Sequence, residues 1–221
     1  PRALERGLLK VRYLLRKMRT MLARLLAALS RRVFPEADGP DEMWQRVMLS
    51  RSVEQHIEQL GPGDLDAAEI SGAGRAELGW KSFTSLDYPA FDLCAPLEVE
   101  EHFDVVICEQ VLEHVLDPNA AAANLRGLCR PGGTVIVSTP FLIKVHELPM
   151  YGMFDYWRFT PRGLRLLLEK AGLEVDTVGS WGNHEVVLGN LDRWSALRKW
   201  HPLHNKADIP VQVWAFARNP A

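Results

Sequence analysis

Leu65-Asp66-Ala67-Ala68-Glu69-Ile70-Ser71-Gly72-Ala73-Gly74-Arg75 decides how this chain is read. A short apolar run ending at an acid, followed by Ser-Gly-Ala-Gly, predicts a buried strand that empties into a tight turn. Glycine suits such a turn because the backbone must adopt positive φ or let a ligand come closer than a Cβ allows. At the carboxyl end of the first strand of an open α/β sheet, this is where nucleotide-like ligands bind. A Gly-x-Gly pair by itself is equally simple turn chemistry, so the flanking sequence has to choose.

Downstream, strand and helix signals alternate, the mark of a parallel sheet. Ser82 to Asp87 reads as a short strand ending in an acid, and Phe91-Asp92-Leu93-Cys94 places a second acid in apolar company. Phe103 to Glu109 is nearly all apolar, hence buried on both faces. A helix is expected from Asp117 to Cys129, then the turn Arg130-Pro131-Gly132-Gly133 and a buried strand from Thr134 to Thr139. Pro161 opens a helix to Lys170, Gly172 caps it, and Glu174–Val178 and Val211–Ala217 read as the last strands. Upstream, Asp41 can cap a helix from Glu42 to about Leu60, stopped by Gly61-Pro62-Gly63.

A chain of 221 residues, 47% apolar and 24% charged, suits one soluble domain with appendages. Opening at Pro1, it is read as processed or trimmed. Cys94, Cys108 and Cys129 have no CxxC spacing, which argues against a disulfide scaffold or zinc site and for a reducing cytosol. No apolar stretch approaches the ~20 residues of a membrane span, and no secretory signal is evident. Residues 1–32 carry ten Lys/Arg and one Glu, or +9 against a whole-chain charge of −2, so the remainder carries −11. An acidic body argues against nucleic acid as its ligand.

The basic arm, 1–33, is followed by a Pro/Gly linker at 34–41. Leu4, Leu8, Val11, Leu15, Met18, Leu22, Leu25 and Leu29 fall on one face of a helix over 2–32, with arginines and lysines off that stripe. Three readings stay open: self-association as a coiled coil, packing on its own domain or a partner, and lying peripherally on anionic lipid.

The order of features resembles the class I S-adenosylmethionine (SAM)-dependent methyltransferases, type 11-like. Glu69 to Gly74, Asp87, Phe103-Asp104-Val105-Val106-Ile107-Cys108-Glu109-Gln110-Val111-Leu112-Glu113-His114-Val115, Arg130-Pro131-Gly132-Gly133-Thr134 and Arg158-Phe159-Thr160 carry the resemblance. It implies a Rossmann-like, seven-stranded, mostly parallel sheet flanked by helices over residues 42–221, with SAM as cofactor. It further implies that the Ser71-Gly72-Ala73-Gly74 turn passes under the methionine part of SAM. Glu69 would face the amino end, Asp87 the ribose hydroxyls, Asp92 the adenine amino group with Leu93 beside the ring, and Glu109 and Gln110 the methionine end. Two departures stand out: Ser-Gly-Ala-Gly-Arg replaces Gly-x-Gly-x-Gly, and only four residues separate Asp87 from Asp92 where a helix is usual.

Methyl transfer to a hydroxyl needs a base to take its proton. His114, past the fourth strand, and His146, in the loop after the fifth, are the candidates; a helix-start and a solvated-loop histidine are the bland alternatives. The insertion 141–160 is aromatic and too long for an idle loop, so it reads as an acceptor cover with Phe141, Tyr151, Asp155, Trp157 and Arg158. Asp155 and Arg158 could equally pair with each other to fix that loop. A second insertion, 179–210, holds Trp181, Trp194 and Trp200, as pocket wall or satellite core. His201 and His204 lack a third ligand, so no metal is expected. The expected activity is methylation of oxygen or nitrogen on a small or lipid-linked acceptor. Its rivals are an NAD enzyme, which lacks the third glycine of Gly-x-Gly-x-x-Gly, and a non-catalytic scaffold recruited by the basic arm.

Overall fold

The computed structural model describes residues 44–97, 101–192 and 204–221, together with Met18, Met21 and Leu22. Those three are helical and exposed. The rest of the expected arm and linker, and Trp194, Trp200 and His201, lie outside the described residues.

A six-stranded sheet forms among the described residues, in the order β2-β1-β3-β4-β6-β5. Its strands are β1 (Asp66–Ile70), β2 (Ser82–Leu86), β3 (Phe103–Glu109), β4 (Cys129–Pro140), β5 (Glu174–Trp181) and β6 (Gln212–Arg218). β1 to β4 run parallel; β6 lies antiparallel between β4 and β5, with Ile136 opposite Phe216. Helices α1 (Trp44–Leu60), α2 (Pro118–Leu128), α3 (Pro161–Lys170) and α4 (His184–Asp192) complete the layers.

Alternation along the central strands explains the three-layer packing. Val106 and Cys108 of β3 face α2 and α3 through Ala121, Leu125, Leu128, Leu164 and Leu168. Val105 and Ile107 point the other way, toward Leu49, Val53 and Ile57 of α1. Burying each of those α1 side chains contributes about 1.5–3 kcal/mol. The caps are local: the Asp117 carboxylate accepts the N–H groups of Asn119 and Ala120, and the Thr160 hydroxyl accepts that of Gly163.

Two expectations are corrected. The sheet has six strands among the described residues, not seven. A parallel neighbour needs a crossover of about a dozen residues, and the four between Asp87 and Asp92 cannot supply one. The chain instead turns at 91–97, where Asp92 Oδ1 accepts the Cys94 N–H and the Asn124 amide donates to the Leu93 and Ala95 carbonyls. β2 is thus left at the edge. The expected insertion at 179 also begins later, because β5 continues to Trp181, which is 3% exposed within the α1-side core.

The parallel strands end at Ile70, Leu86, Glu109 and Pro140, so the loops at 71–75, 87–92, 110–117 and 141–160 meet along one edge of the sheet. The order in which strands join the sheet reverses at β1, with β2 on one side and β3 on the other, which opens a crevice at that edge.

Candidate functional site

The glycine turn is braced from below. Ser71 adopts φ 54° while its N–H donates to the Leu86 carbonyl at 2.9 Å. Glu69 is 6% exposed, and its carboxylate folds back under the turn to accept the Arg75 N–H at 2.9 Å. A Cβ on Gly72 would meet Glu69 Oε1 at 2.9 Å, which is why glycine stands there. Burial pushes the Glu69 pKa up, against the pull of the Arg75 and Gly74 N–H groups.

Arg75, the residue where a third glycine is more usual, ties three segments together. Its Nε donates to Glu109 Oε2 at 2.7 Å, Nη1 to Glu54 Oε1 at 2.8 Å and Nη2 to Ser50 Oγ at 3.1 Å. Burial opposes its charge, and Glu109, Glu54 and Glu69 more than restore it. Glu69 and Glu109 are therefore both engaged within the protein. Beside the turn, the Ser85 hydroxyl lies 2.6 Å from the Gly72 carbonyl and 2.8 Å from Asp87 Oδ2, leaving Asp87 exposed at the crevice. That arrangement, bare backbone next to an open carboxylate, fits a ribose-bearing cofactor in its donor chemistry. Asp92 caps its own turn nearby, and Leu93 is 4% exposed in the core. Gln110, at φ 60°, donates from its amide to Ser138 Oγ at 2.9 Å.

The second half of the site is assembled by the loop at 141–160. Tyr156 and Trp157 donate their N–H groups to the Glu113 carbonyl, and the Trp157 indole donates to the Val115 carbonyl. His114 Nδ1 sits 2.6 Å from the Phe154 carbonyl, which makes Nδ1 the protonated nitrogen and turns Nε2 toward Glu113 Oε1 at 3.7 Å. The His146 ring stands edge-on to His114, centroids 4.9 Å apart. Its Nδ1 lies 3.0 Å from Asp155 Oδ2, and its backbone N–H donates to the same oxygen. Arg158 grips both Asp155 oxygens and reaches the Trp157 carbonyl. Burial would raise the Asp155 pKa; Arg158 and the His146 N–H hold it below the usual carboxylate range. Burial lowers the His146 pKa, and Asp155 only partly restores it.

A cavity of about 160 Å³ opens against this cluster, lined by Gln45 and Arg46 of α1, Gln110, Pro140, Ile143, His146 and Gln212. Behind it Glu113 is fully buried, and neither carboxylate oxygen has a hydrogen-bond partner among the described residues. Burial pushes its pKa up to about 8, resisted by its own N–H, Arg46 and Arg158. Glu113, His114 and His146 offer ligand atoms all within 4.8 Å of one another, so this grouping could hold an ion although the sequence reading assigns no metal.

The candidates separate into two groups. His146 and Gln110 line the cavity, with His114, Asp155 and Arg158 in contact with one another around His146; Ser71, Gly72, Gly74, Asp87 and Asp92 lie in or beside the loops that follow β1 and β2. Phe141 packs against the core, and Tyr151 closes a short 3-10 turn. Sequence reasoning missed Arg46, Arg75, Glu113 and Gln212 as site residues. Only Glu113 carried a signal, an acid set in the apolar run Val111-Leu112-Glu113-His114-Val115.

A family model described as a methyltransferase domain matches residues 50–178, more than half of the chain. The chain belongs to the class I SAM-dependent methyltransferases. Among its curated relatives, the ubiquinone biosynthesis O-methyltransferase of Aeromonas salmonicida is 30% identical over 163 residues, covering 68% of this chain and 63% of that protein. The protein of the same name from Dinoroseobacter shibae is 35% identical over 116 residues, covering 45% of this chain and 46% of its own length. The chain thus spans under two-thirds of these relatives. A SAM-dependent methyltransferase from Mesorhizobium loti shares the fold, with a TM-score of 0.53 at 14% identity over 76% of this chain and 97% of that one. No helix among the described residues is long and apolar enough to cross a membrane.

Proposed function

We propose that this methyltransferase domain moves the methyl group of SAM to a hydroxyl oxygen of a small-molecule or lipid-linked acceptor seated in the cavity. The observation that carries the reading is the Asp155–His146 pair at the cavity wall, 3.0 Å between carboxylate and ring nitrogen. Relatives named as O-methyltransferases favour oxygen over nitrogen.

SAM supplies the electrophilic methyl carbon; the chain supplies position and a place for the proton. The turn at Gly72–Gly74 lets backbone approach the methionine part, Asp87 accepts the ribose hydroxyls, and Gln110 borders the boundary between cofactor and acceptor. Asp92 is the candidate for the adenine amino group, with Leu93 backing it from the core. The Asp155 carboxylate, 3.0 Å from Nδ1, favours the ring proton on that side, which assigns Nε2 to take the proton of the acceptor hydroxyl. His114, locked by the Phe154 carbonyl, sets the ring's packing. The cover formed by Phe141, Tyr151, Trp157 and Arg158 keeps water from the transfer. The arm at 2–32 suits a peripheral contact with anionic lipid, which flotation with liposomes, with and without that segment, tests directly.

The deciding experiment is calorimetric titration with S-adenosylhomocysteine beside NADH. Micromolar binding of the former, weakened at least ~10-fold by Asp87→Ala (about 1.4 kcal/mol), is the expected result. No binding of either compound would replace the enzyme reading with that of a non-catalytic scaffold.

A further inference from the structure

One cation at the cavity wall has no acid in direct contact with it. Glu109 is held by Arg75 at 2.7 Å, and Asp155 is held by Arg158 and His146. Glu113 is fully buried, and neither of its oxygens has a hydrogen-bond partner among the described residues. None of these three acids makes a hydrogen bond or ion pair with Arg46. Its part-buried guanidinium lines the cavity, and no hydrogen bond or ion pair within 4 Å joins it to another described residue. Burial opposes its charge most strongly; Glu113 and Glu109 support it through space, while Arg75 repels it. A desolvated cation at a cavity wall is costly unless something supplies the opposite charge.

The rest of the wall fits a compact organic anion. Ile143 and Pro140 offer apolar surface, Gln110 and Gln212 offer amides, and His146 is part of the same lining. The volume, about 160 Å³, is that of a single-ring guest, since cavities of about 150 Å³ accept benzene.

We propose that the acceptor carries a carboxylate as well as its hydroxyl, and that Arg46 receives the carboxylate while His146 faces the hydroxyl. A guanidinium presents a planar fork that a carboxylate matches with two parallel hydrogen bonds. This inference rests on the cavity being the acceptor site, as read above. It assigns Arg46 to specificity: the residue selects the substrate and orients it toward the base.

The test titrates 3-hydroxybenzoate and its neutral isostere 3-hydroxybenzamide into the full chain, with and without saturating S-adenosylhomocysteine. The expected result is at least a ~10-fold preference for the carboxylate (about 1.4 kcal/mol), abolished in Arg46→Gln and partly kept in Arg46→Lys. Affinity for S-adenosylhomocysteine should stay within about twofold in both variants, which also reports that they fold. No preference in the unsubstituted protein, or no binding of either ring compound, overturns the proposal. A large loss of S-adenosylhomocysteine affinity in Arg46→Gln also overturns it, because the guanidinium would then serve the cofactor's own carboxylate. Failure of S-adenosylhomocysteine to bind the unsubstituted protein would sink the methyltransferase reading instead, while an Arg46-dependent carboxylate preference would still support the anion site.

Discussion

Replacing Glu113 by glutamine removes the proton from the most deeply buried acid of the site while keeping its shape. With a folded-state pKa of about 8 and an ordinary value of 4.5, Glu113 binds its proton more tightly when folded. Its contribution is complete below pH ~4.5 and is lost as pH rises toward 8. Each pH unit inside that window removes about 1.4 kcal/mol. From pH 5 to pH 8 the unsubstituted protein should therefore lose about 3 kcal/mol that Glu113→Gln does not. The absolute stability of the variant also reflects how its amide packs, so the reading lies in how the gap between the two proteins changes with pH. Urea denaturation followed by tryptophan fluorescence at half-unit pH steps measures it. Parallel stability profiles for the two proteins would refute the buried, proton-bearing carboxyl.

Three further outcomes follow from named contacts. Arg75→Met leaves Glu109 and Glu54 without their partner and should cost about 3–5 kcal/mol in denaturant titration, as breaking a buried pair does; a cost below about 1 kcal/mol, that of an exposed pair, would refute the clamp. Asp155→Asn removes the group that raises the His146 pKa, so the ring should titrate still lower than in the unsubstituted protein, read from its NMR shifts; an unmoved titration would separate the two residues. Gly182→Ala would put a Cβ 2.2 Å from the Ile209 carbonyl oxygen and 2.4 Å from the Val211 nitrogen, both backbone, and should destabilise by about 3 kcal/mol or more. Gly63→Ala, whose nearest new neighbour is 3.9 Å away, is its near-neutral control in the same thermal melt.

What could be read from sequence was what local chemistry determines. The apolar run at Phe103–Glu109, the helix starts at Asp117 and Pro161, and Gly172 after the last helix each name an element without reference to anything distant. The edge of the sheet was less legible because Phe91-Asp92-Leu93-Cys94 looks strand-like in isolation; the length of the preceding link decides against it. Trp181 could be placed in a pocket wall or a core only by knowing that β5 pairs with β6 through to Gln212. The site divides the same way. His114 and His146 stood out by residue type, and the Asp155–Arg158 pairing followed from proximity in the chain. Arg46 and His146 line one cavity from 100 residues apart, and Arg75 meets Glu109 across 34, so neither pairing leaves a local trace.

The three tethers of Arg75 bear on how the glycine turn, proposed above as the cofactor bed, would meet its ligand. Glycine-rich loops are often supple, and ordering such a loop on binding consumes part of the interaction energy. Here the segment from Ser71 to Arg75 is already pinned to α1, β2 and β3 by side-chain and main-chain bonds. Its conformational entropy is surrendered during folding, and the loop reaches the encounter preorganised. On the proposed reading, cofactor exchange would then proceed over a nearly rigid bed.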